Sequence, residues 1–595
     1  GMYKDTKLAD YNSNTFYRRY NVTSNLTLNP FRTTEIKLGI QGYLANANYP
    51  ASSQASIFES AYFTPPTYIA PLYPDGKLGA FSGGDINPVA QLGATGYANQ
   101  WRSQVYSNLR ITQQIYKGLS VSGMFSFDTY NYTSNRFTKT PNTYHATGRD
   151  ANGNLLYEQT RQGTENLAYS LSAKGNRAIY LEAAVNYRNT FGRHTVSGMM
   201  LFNQSDEINT KATNVEEALP YRFRGLAGRF TYSFDDRYFG EFNFGYNGSE
   251  NFAPKNRYGF FPSVGLGWVI SNEKFLKDSR TLTMLKLRAS YGKVGNDKLG
   301  NNRFLYIDNI TMGGGTLGSL GNGQGVSAGL LGNPNLSWEI AKKQNYGFDL
   351  QLWSELNLTF DYFIENREDI LIDRKSVPMI QGTPLANIPK INMGKVKNQG
   401  FEIELNYIKR VAKDLTLQFR GMFNYNKNKQ IFMDEPINPS DYVYRYRQTG
   451  FPINTNWGYK IDYSNGNGFF NTQEELDEYL SHTTYSFGTP GLGDFKYMDL
   501  NEDGVVDEKD QVPLRYTKIP RITYGFTLGL DYKGIDFTIF FQGVSKYSHF
   551  SGTTQNVYEW TKEAPTTTIT SGHGPRSATK TARKSPTPRC TRAIT

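Results

Sequence analysis

The 595-residue sequence has a single cysteine and no long apolar run. With only Cys590 available, an internal disulfide framework is excluded and the compartment is left undetermined. No stretch approaches the roughly 18 to 20 apolar residues that a helix needs to cross a bilayer, which excludes a helical membrane protein. The start, Gly1-Met2-Tyr3-Lys4-Asp5, lacks the charged-then-apolar order of a signal peptide. Histidines are few: His145, His194, His482, His549 and His573 are scattered without metal-ligand spacing. No nucleophile stands in register with a base, so no enzyme is expected. The glycine-rich Gly313 to Gly325 follows no strand-to-helix unit and does not read as a phosphate loop.

A net charge of +11 invites a nucleic-acid reading, but its distribution argues against one. Six of the bases, Arg576, Lys580, Arg583, Lys584, Arg589 and Arg592, lie in Ala564 to Thr595, which has no acid. The remainder is diluted over more than 500 residues, and no nucleic acid is expected as a partner.

Rings and glycine are abundant: aromatics are 15% of the chain against 20% charged residues, with 57 glycines. The dominant pattern is period two, repeated to about Phe541. In one run Leu119, Val121, Gly123, Phe125 and Phe127 share a face, and Ser120, Ser122, Met124, Ser126 and Asp128 share the other. One side suits lipid and the other water. Val105, Leu109 and Ile111 meet this run through a turn at Tyr116-Lys117-Gly118. The same design sets Leu181 to Tyr187 against Val196 to Phe202, Phe348 to Leu352 against Leu358 to Ile364, and Phe401 to Tyr407 against Leu415 to Phe423. Between hairpins lie polar, Gly/Pro/Asn-rich segments: Ala45 to Asn99, Tyr130 to Asn176, Asn296 to Ser337 and Lys427 to Asp510. Short turns at one end, long loops at the other and strands of about ten residues or more predict an all-β fold, a large antiparallel transmembrane β-barrel with long extracellular loops. A soluble propeller also alternates, but no blade-length repeat is evident. Tyr187, Phe202, Phe244 and Tyr246 fit aromatic girdles. Tyr62, Phe63, Tyr68 and Tyr73 are candidates for stacking on sugar rings.

The segment from Gly228 to Phe275 carries Asp236-Arg237-Tyr238, Gly248-Ser249, Phe252, Asn256-Arg257-Tyr258-Gly259, Phe261-Pro262-Ser263, Gly267-Trp268 and Ser271-Asn272-Glu273. It closely resembles a barrel hairpin of SusC/RagA-type TonB-dependent outer-membrane transporters. Further stretches match in the family's order: LKLRASYGKVGN from Leu285, NPNLSWE from Asn333, GKVKNQGFEIEL from Gly394, GFPINTNWGY from Gly450 and PRITYGFTLGLDYKGIDFTIFFQG from Pro520. The resemblance runs from roughly Tyr17 to Trp560. It implies part of a 22-stranded barrel filled by a plug, in the outer membrane of a Gram-negative bacterium. It also implies import of large nutrients, oligosaccharides or oligopeptides, with a SusD-like surface lipoprotein as lid and the TonB complex as energy source. No TonB box or plug precedes Tyr17, so residues 1–563 are expected to be an incomplete barrel. Residues 564–595, which lose all alternation, are expected to be a disordered basic tail. A passive porin, a soluble β-rich surface-binding protein and a non-functional fragment are the alternatives.

One acidic stretch stands apart. In DLNEDGVVDEKD, oxygens fall at Asp499, Asn501, Asp503, Asp507 and Asp510, with Gly504 at position six and the Val505 carbonyl at position seven. That spacing is the one a Ca²⁺ loop requires. The twelfth residue is Asp510, shorter than the usual Glu, which implies modest affinity. The expectation is a structural Ca²⁺ that orders a long surface loop with little core of its own.

Overall fold

The computed structural model describes residues 15–63, 69–82, 87–300, 302–316, 324–378, 380, 382–436, 447–514 and 516–548. Sixteen strands form one antiparallel sheet whose spatial order is the order along the chain. They are Phe16–Phe31, Thr34–Pro50, Gly96–Tyr116, Leu119–Thr138, Ala168–Phe191, His194–Asn209, Tyr221–Phe234, Tyr238–Ser249, Tyr258–Val269, Leu282–Asn296, Glu339–Leu352, Leu356–Ile372, Ile391–Ala412, Leu415–Phe432, Ile522–Tyr532 and Ile535–Ser545. Consecutive pairing needs no crossovers, because each strand is joined to its neighbour by a hairpin turn or a loop. The sheet does not close among the described residues: Phe16–Phe31 pairs only with Thr34–Pro50, and Ile535–Ser545 only with Ile522–Tyr532. No described helix is long and apolar enough to cross a membrane.

The expected hairpins form, and residues expected on one face pair with one another across them. Leu109 faces Phe125, Val185 faces Met200, Phe348 faces Phe360 and Ile403 faces Phe423. Turns at one end are short, as at Lys117-Gly118, Gly192-Arg193 and Lys413-Asp414, apart from the connection 270–281, while the longest connections, such as 51–95, 297–338 and 433–521, leave the other end. The period-two reading holds in space. Val121, Phe125 and Phe127 are exposed on the outward face, whereas Ser122 beside them is buried on the inward face. An open apolar face on an unassembled sheet of this size is what lipid contact requires.

The strands run further than their alternation. Ala168–Phe191 has 24 residues and Gly96–Tyr116 has 21. At about 3.3 Å per residue the longer spans roughly 80 Å, well beyond a tilted crossing of the ~25 Å apolar band. Residues 45–50, 96–99, 130–138 and 168–176, read from sequence as loop, are therefore strand. Beyond the apolar band both faces meet water, so ladder pairing continues without any hydrophobic alternation to announce it. The phosphate-loop reading of the glycine-rich stretch stays unsupported: its described parts pair as a small hairpin, Ile310–Thr316 with Gln324–Ala328. The tail 564–595 lies outside the described residues.

Candidate functional site

The inward face of the sheet carries a belt of ion pairs. Arg110 meets Glu182 at 3.1 Å, Arg229 meets Glu241 at 2.9 Å and Arg420 meets Glu404 at 2.9 Å. Arg367 holds Glu339 at 2.8 Å and Glu365 at 2.7 Å. Arg288 is shared between Asp349 at 2.9 Å and Asp361 at 3.0 Å. That last clamp depends on a glycine. Arg288 is paired across the ladder with Gly347, and a Cβ there would lie 2.5 Å from Asp361 Oδ1 and 2.7 Å from the Phe360 carbonyl oxygen. Alternation puts these charges on the watery side, and the forked guanidinium geometry lets one arginine serve two carboxylates.

At the long-loop end, motifs distant in sequence pack into a small core. Phe252, Phe261, Leu299, Leu305, Leu336 and Trp338 are all buried together. The Trp338 indole N–H donates to the Arg257 carbonyl at 3.1 Å, and Asn256 Nδ2 donates to the Leu336 carbonyl at 3.2 Å. So the Asn-Arg-Tyr-Gly and Asn-Pro-Asn-Leu-Ser-Trp motifs are two halves of one joint. The Phe261 ring occupies space that a Cβ on Gly259 or Gly295 would enter at 2.3 and 2.1 Å. Pro262 lies inside the strand Tyr258–Val269. It pairs with Phe244 on one side, and pairing to Leu282–Asn296 begins only at Ser263, so its missing N–H breaks no ladder bond there. Arg303 adds a second joint. It is 7% exposed and donates to the carbonyls of Glu216, Leu219 and Pro220 at 2.6 to 2.8 Å, with its guanidinium 3.5 Å from the Tyr221 ring centre.

At the short-turn end, Glu273 gathers the remaining motif residues. Its carboxylate accepts from Arg237 at 2.9 Å, from the Tyr238 hydroxyl at 2.6 Å and from the Trp268 indole at 3.1 Å. Hydrogen bonds from Tyr238 and Trp268, with the Arg237 charge, hold Glu273 below the usual carboxylate range. The sequence carries no signal that marks Glu273 as the hub.

Residues 447–514 fold as a module with a small core of its own, tied to the end of Leu415–Phe432 through Asn428 and Gln430. Its helix, Gln473–Leu480, starts at the N-cap Thr472, and Phe470, Leu476 and Tyr479 form its core. The loop was expected to have little core of its own; instead Phe470 and Val506 are completely buried. The acidic stretch lies here. The Asp499 carboxylate accepts from the Gly504 amide at 2.8 Å, Asn501 Oδ1 from the Asp503 amide at 3.3 Å and Asp503 Oδ1 from the Val505 amide at 3.0 Å. Gly504 has φ 83°, the left-handed geometry that glycine tolerates without strain. Asp499 Oδ1 is buried and has no hydrogen-bond partner. Lys509 Nζ lies 3.4 Å from Asp503, whose carboxyl is held low by Asn501, the Val505 amide and Lys509. Asp510 is fully buried, and both its oxygens are engaged: Oδ1 accepts from the Leu500 amide at 2.7 Å and Oδ2 from the Asp507 amide at 2.8 Å. Asp507 Oδ1 accepts from the Lys509 amide at 2.7 Å. Thus Asp499, Asn501, Asp503 and the Val505 backbone line one side of the turn, while Asp507 and Asp510 brace its base. Among the described residues no three His, Cys, Asp or Glu side chains converge as a metal cluster.

Of the candidate stacking residues, Tyr73 is buried, 5.0 Å from the Tyr157 ring, with its hydroxyl accepting from the Ala146 amide. It offers no free ring face. Tyr68 and the side chains of Tyr62 and Phe63 lie outside the described residues.

The family model described as "TonB dependent receptor-like, beta-barrel" matches residues 19–573. The chain belongs to this family. The match reaches ten residues into the segment read as tail. Among relatives of this TonB-dependent receptor-like barrel, TonB-dependent receptor P26 of Formosa agariphila is 26% identical over 586 residues, covering 89% of this chain and 55% of the relative. TonB-dependent receptor P3 of the same organism is 28% identical over 444 residues, with 72% and 40% covered. TonB-dependent receptor SusC of Bacteroides thetaiotaomicron is 30% identical over 321 residues, with 52% and 30% covered. The structure of the RagAB peptide importer in its closed-closed state aligns with TM-score 0.65 at 19% identity, covering 90% of this chain and 58% of that one. In the open-open state the TM-score is 0.66 at 21% identity, with 90% and 57% covered. At that identity the likeness carries the fold. The chain spans about half the length of these two Formosa agariphila relatives.

Proposed function

We propose that this chain is the barrel portion of an outer-membrane importer of large nutrients, oligosaccharides or oligopeptides. It would work beneath a SusD-like surface lipoprotein and be energised by the TonB complex of the inner membrane. The observation that carries this reading is the combination of an apolar outward face with an inward face of ordered charge, roofed at one end by cored loops. An inner wall bearing paired charges at many levels presents hydrogen-bonding groups to a polar solute over its whole height. The cored crown holds the entrance in a fixed shape to which a lid can dock. The RagAB neighbour, described as a peptide importer, favours peptides as the first solutes to try. Uptake of labelled oligopeptides and oligosaccharides by cells expressing or lacking the gene tests the reading. Loss of one solute class on deletion, restored by the gene and abolished by an uncoupler, is the expected result. Uptake that is unaffected by uncoupling would favour a passive porin.

We further propose that the acidic loop takes a Ca²⁺, with Asp499, Asn501, Asp503 and the Val505 carbonyl as ligands. Hard oxygen donors in alternation suit this ion, and the orphaned Asp499 Oδ1 is an acceptor that a cation would satisfy. Asp507 and Asp510, also candidate ligands by spacing, already serve backbone amides and hold the turn. Calorimetric titration of the whole chain should give a Kd on the order of 10⁻⁵ to 10⁻³ M, lost in Asp499→Ala and Asp503→Ala. No heat and no calcium-dependent protease protection of Gly491 to Pro513 at millimolar Ca²⁺ would leave a solvated turn.

A further inference from the structure

The outward face carries one polar hollow where an apolar wall would be expected to end. Phe202, Leu226, Tyr246 and Phe260 form a continuous cross-strand row, all of them exposed. One step towards the long-loop end the same face presents Arg224, paired across the ladder with Gly248, which in turn faces Tyr258. One step further is Arg222, with Asp206 opposite. A cavity of about 400 Å³ lies here, lined by Arg222, Arg224, Arg257, Tyr258, Asp206 and Glu250. The Tyr258 ring packs flat against Gly248, where a Cβ would lie 2.5 Å from it.

Its charges are unequally occupied. Arg222 is bound to Asp206 at 2.8 Å. The Arg224 side chain is exposed and makes no ion pair or hydrogen bond among the described residues. Arg257 has a buried Nε with no partner. Three guanidinium groups thus meet two carboxylates, with two of the cations unspent, directly above an aromatic and aliphatic row. Aromatic rows mark the membrane–water boundary, and arginine there reaches to the headgroup level.

We infer that this hollow binds the phosphate of an anionic outer-leaflet glycolipid, Arg224 and Arg257 donating to the phosphate oxygens while the acyl chains lie along the Phe202–Phe260 row. Guanidinium donors suit phosphate because both nitrogens of the fork can donate to its oxygens at once. A soluble phosphate gains nothing from the apolar row, and a neutral lipid gains nothing from the arginines; the juxtaposition selects a molecule with both parts. The inference rests on the membrane-barrel reading.

The test is native mass spectrometry of the full chain, reconstituted with a bisphosphorylated, acylated diglucosamine lipid or with its phosphatase-treated form. Heat-modifiable migration and protease protection in vesicles report insertion separately. The expected result is about tenfold preferential retention of the phosphorylated lipid, reduced about tenfold in Arg224→Ala, as loss of a charge-assisted hydrogen bond implies. Arg257→Ala should weaken retention as well, Arg224→Lys should restore part of it, and Lys117→Ala at the opposite rim should leave it unchanged. Equal retention by wild type and Arg224→Ala, or complete displacement of the lipid by equimolar inorganic phosphate, overturns the lipid site while leaving the barrel intact. Failure to insert overturns the barrel reading and the lipid site with it.

Discussion

Gly347 shows how much a single missing side chain can decide. The Arg288 clamp needs an empty position across the ladder, and alanine there collides with Asp361 and with backbone at Phe360. Overpacking of this kind costs about 1 to 3 kcal/mol, so Gly347→Ala should lower the denaturation midpoint of the refolded chain, an effect that equilibrium unfolding will measure. Leu336, 1% exposed in the crown core, presents the opposite case. Leu336→Ala should cost about 2 to 5 kcal/mol by cavity formation. It should also expose the 297–338 connection to protease before the strands are affected. Glu273 is a third kind of residue, a hub for Arg237, Tyr238 and Trp268 at the short-turn rim. Glu273→Ala should release the rim and quicken amide exchange around residues 235–237 and 270–281, with the crown unchanged. The sequence displayed Gly347, Leu336 and Glu273 plainly, but none of their roles, because each role depends on at least one neighbour far along the chain: Asp361 for Gly347, Phe252 for Leu336 and Arg237 for Glu273.

Among the elements, the acidic module at 447–514 carries carboxyls and phenols displaced in opposite directions. Burial would raise Asp462 and Glu475, but hydrogen bonds from Ser464 and Asn471 and the Lys496 ammonium outweigh it and hold both carboxyls low. Asp503 is also held low, by Asn501 first. A carboxyl depressed on folding contributes stability above its unfolded value, near 4, and loses it as pH falls through the lower folded value. Protection of the module from protease should therefore be level from about pH 8 to 5 and decline below about 4. At the alkaline end burial pushes the Tyr479 phenol up to about 12, and it raises Tyr485 as well. Those two contribute stability below about pH 10 that is lost as pH rises past it. Pulse proteolysis across both ranges should show a plateau with two shoulders. The spacing of the acidic residues was legible in the sequence. The core formed by Phe470, Leu476 and Tyr479 was not, because a short helix inside a long polar segment leaves only a brief periodic trace.

The whole molecule is a sheet that turns an apolar face outward and a charged face inward, with joints at each rim. Much of its apolar material lies on the outward face, and the described residues bury apolar clusters in the crown and in the module at 447–514. The chain in detergent or bilayer should therefore hold its strand content to higher temperature than the chain in dilute buffer, where the open face associates. Circular dichroism melts in the two media will measure this, and equal melting with no aggregation in buffer would contradict a lipid-facing wall.

The alternation of apolar and polar residues by itself determined the all-β class, the hairpin partners and which face of each strand is apolar, because a one-residue slip would exchange the faces of every strand. The ordered motifs determined the family. Tertiary structure alone decided how far the strands extend past the apolar band, since both faces are wet there and pairing leaves no pattern. It also decided that Pro262 lies within a strand, where the neighbouring ladder has not yet begun. And it decided that Asp510 is spent on backbone amides, because spacing along a chain counts the oxygens a turn can offer but does not show which of them its own N–H groups already hold.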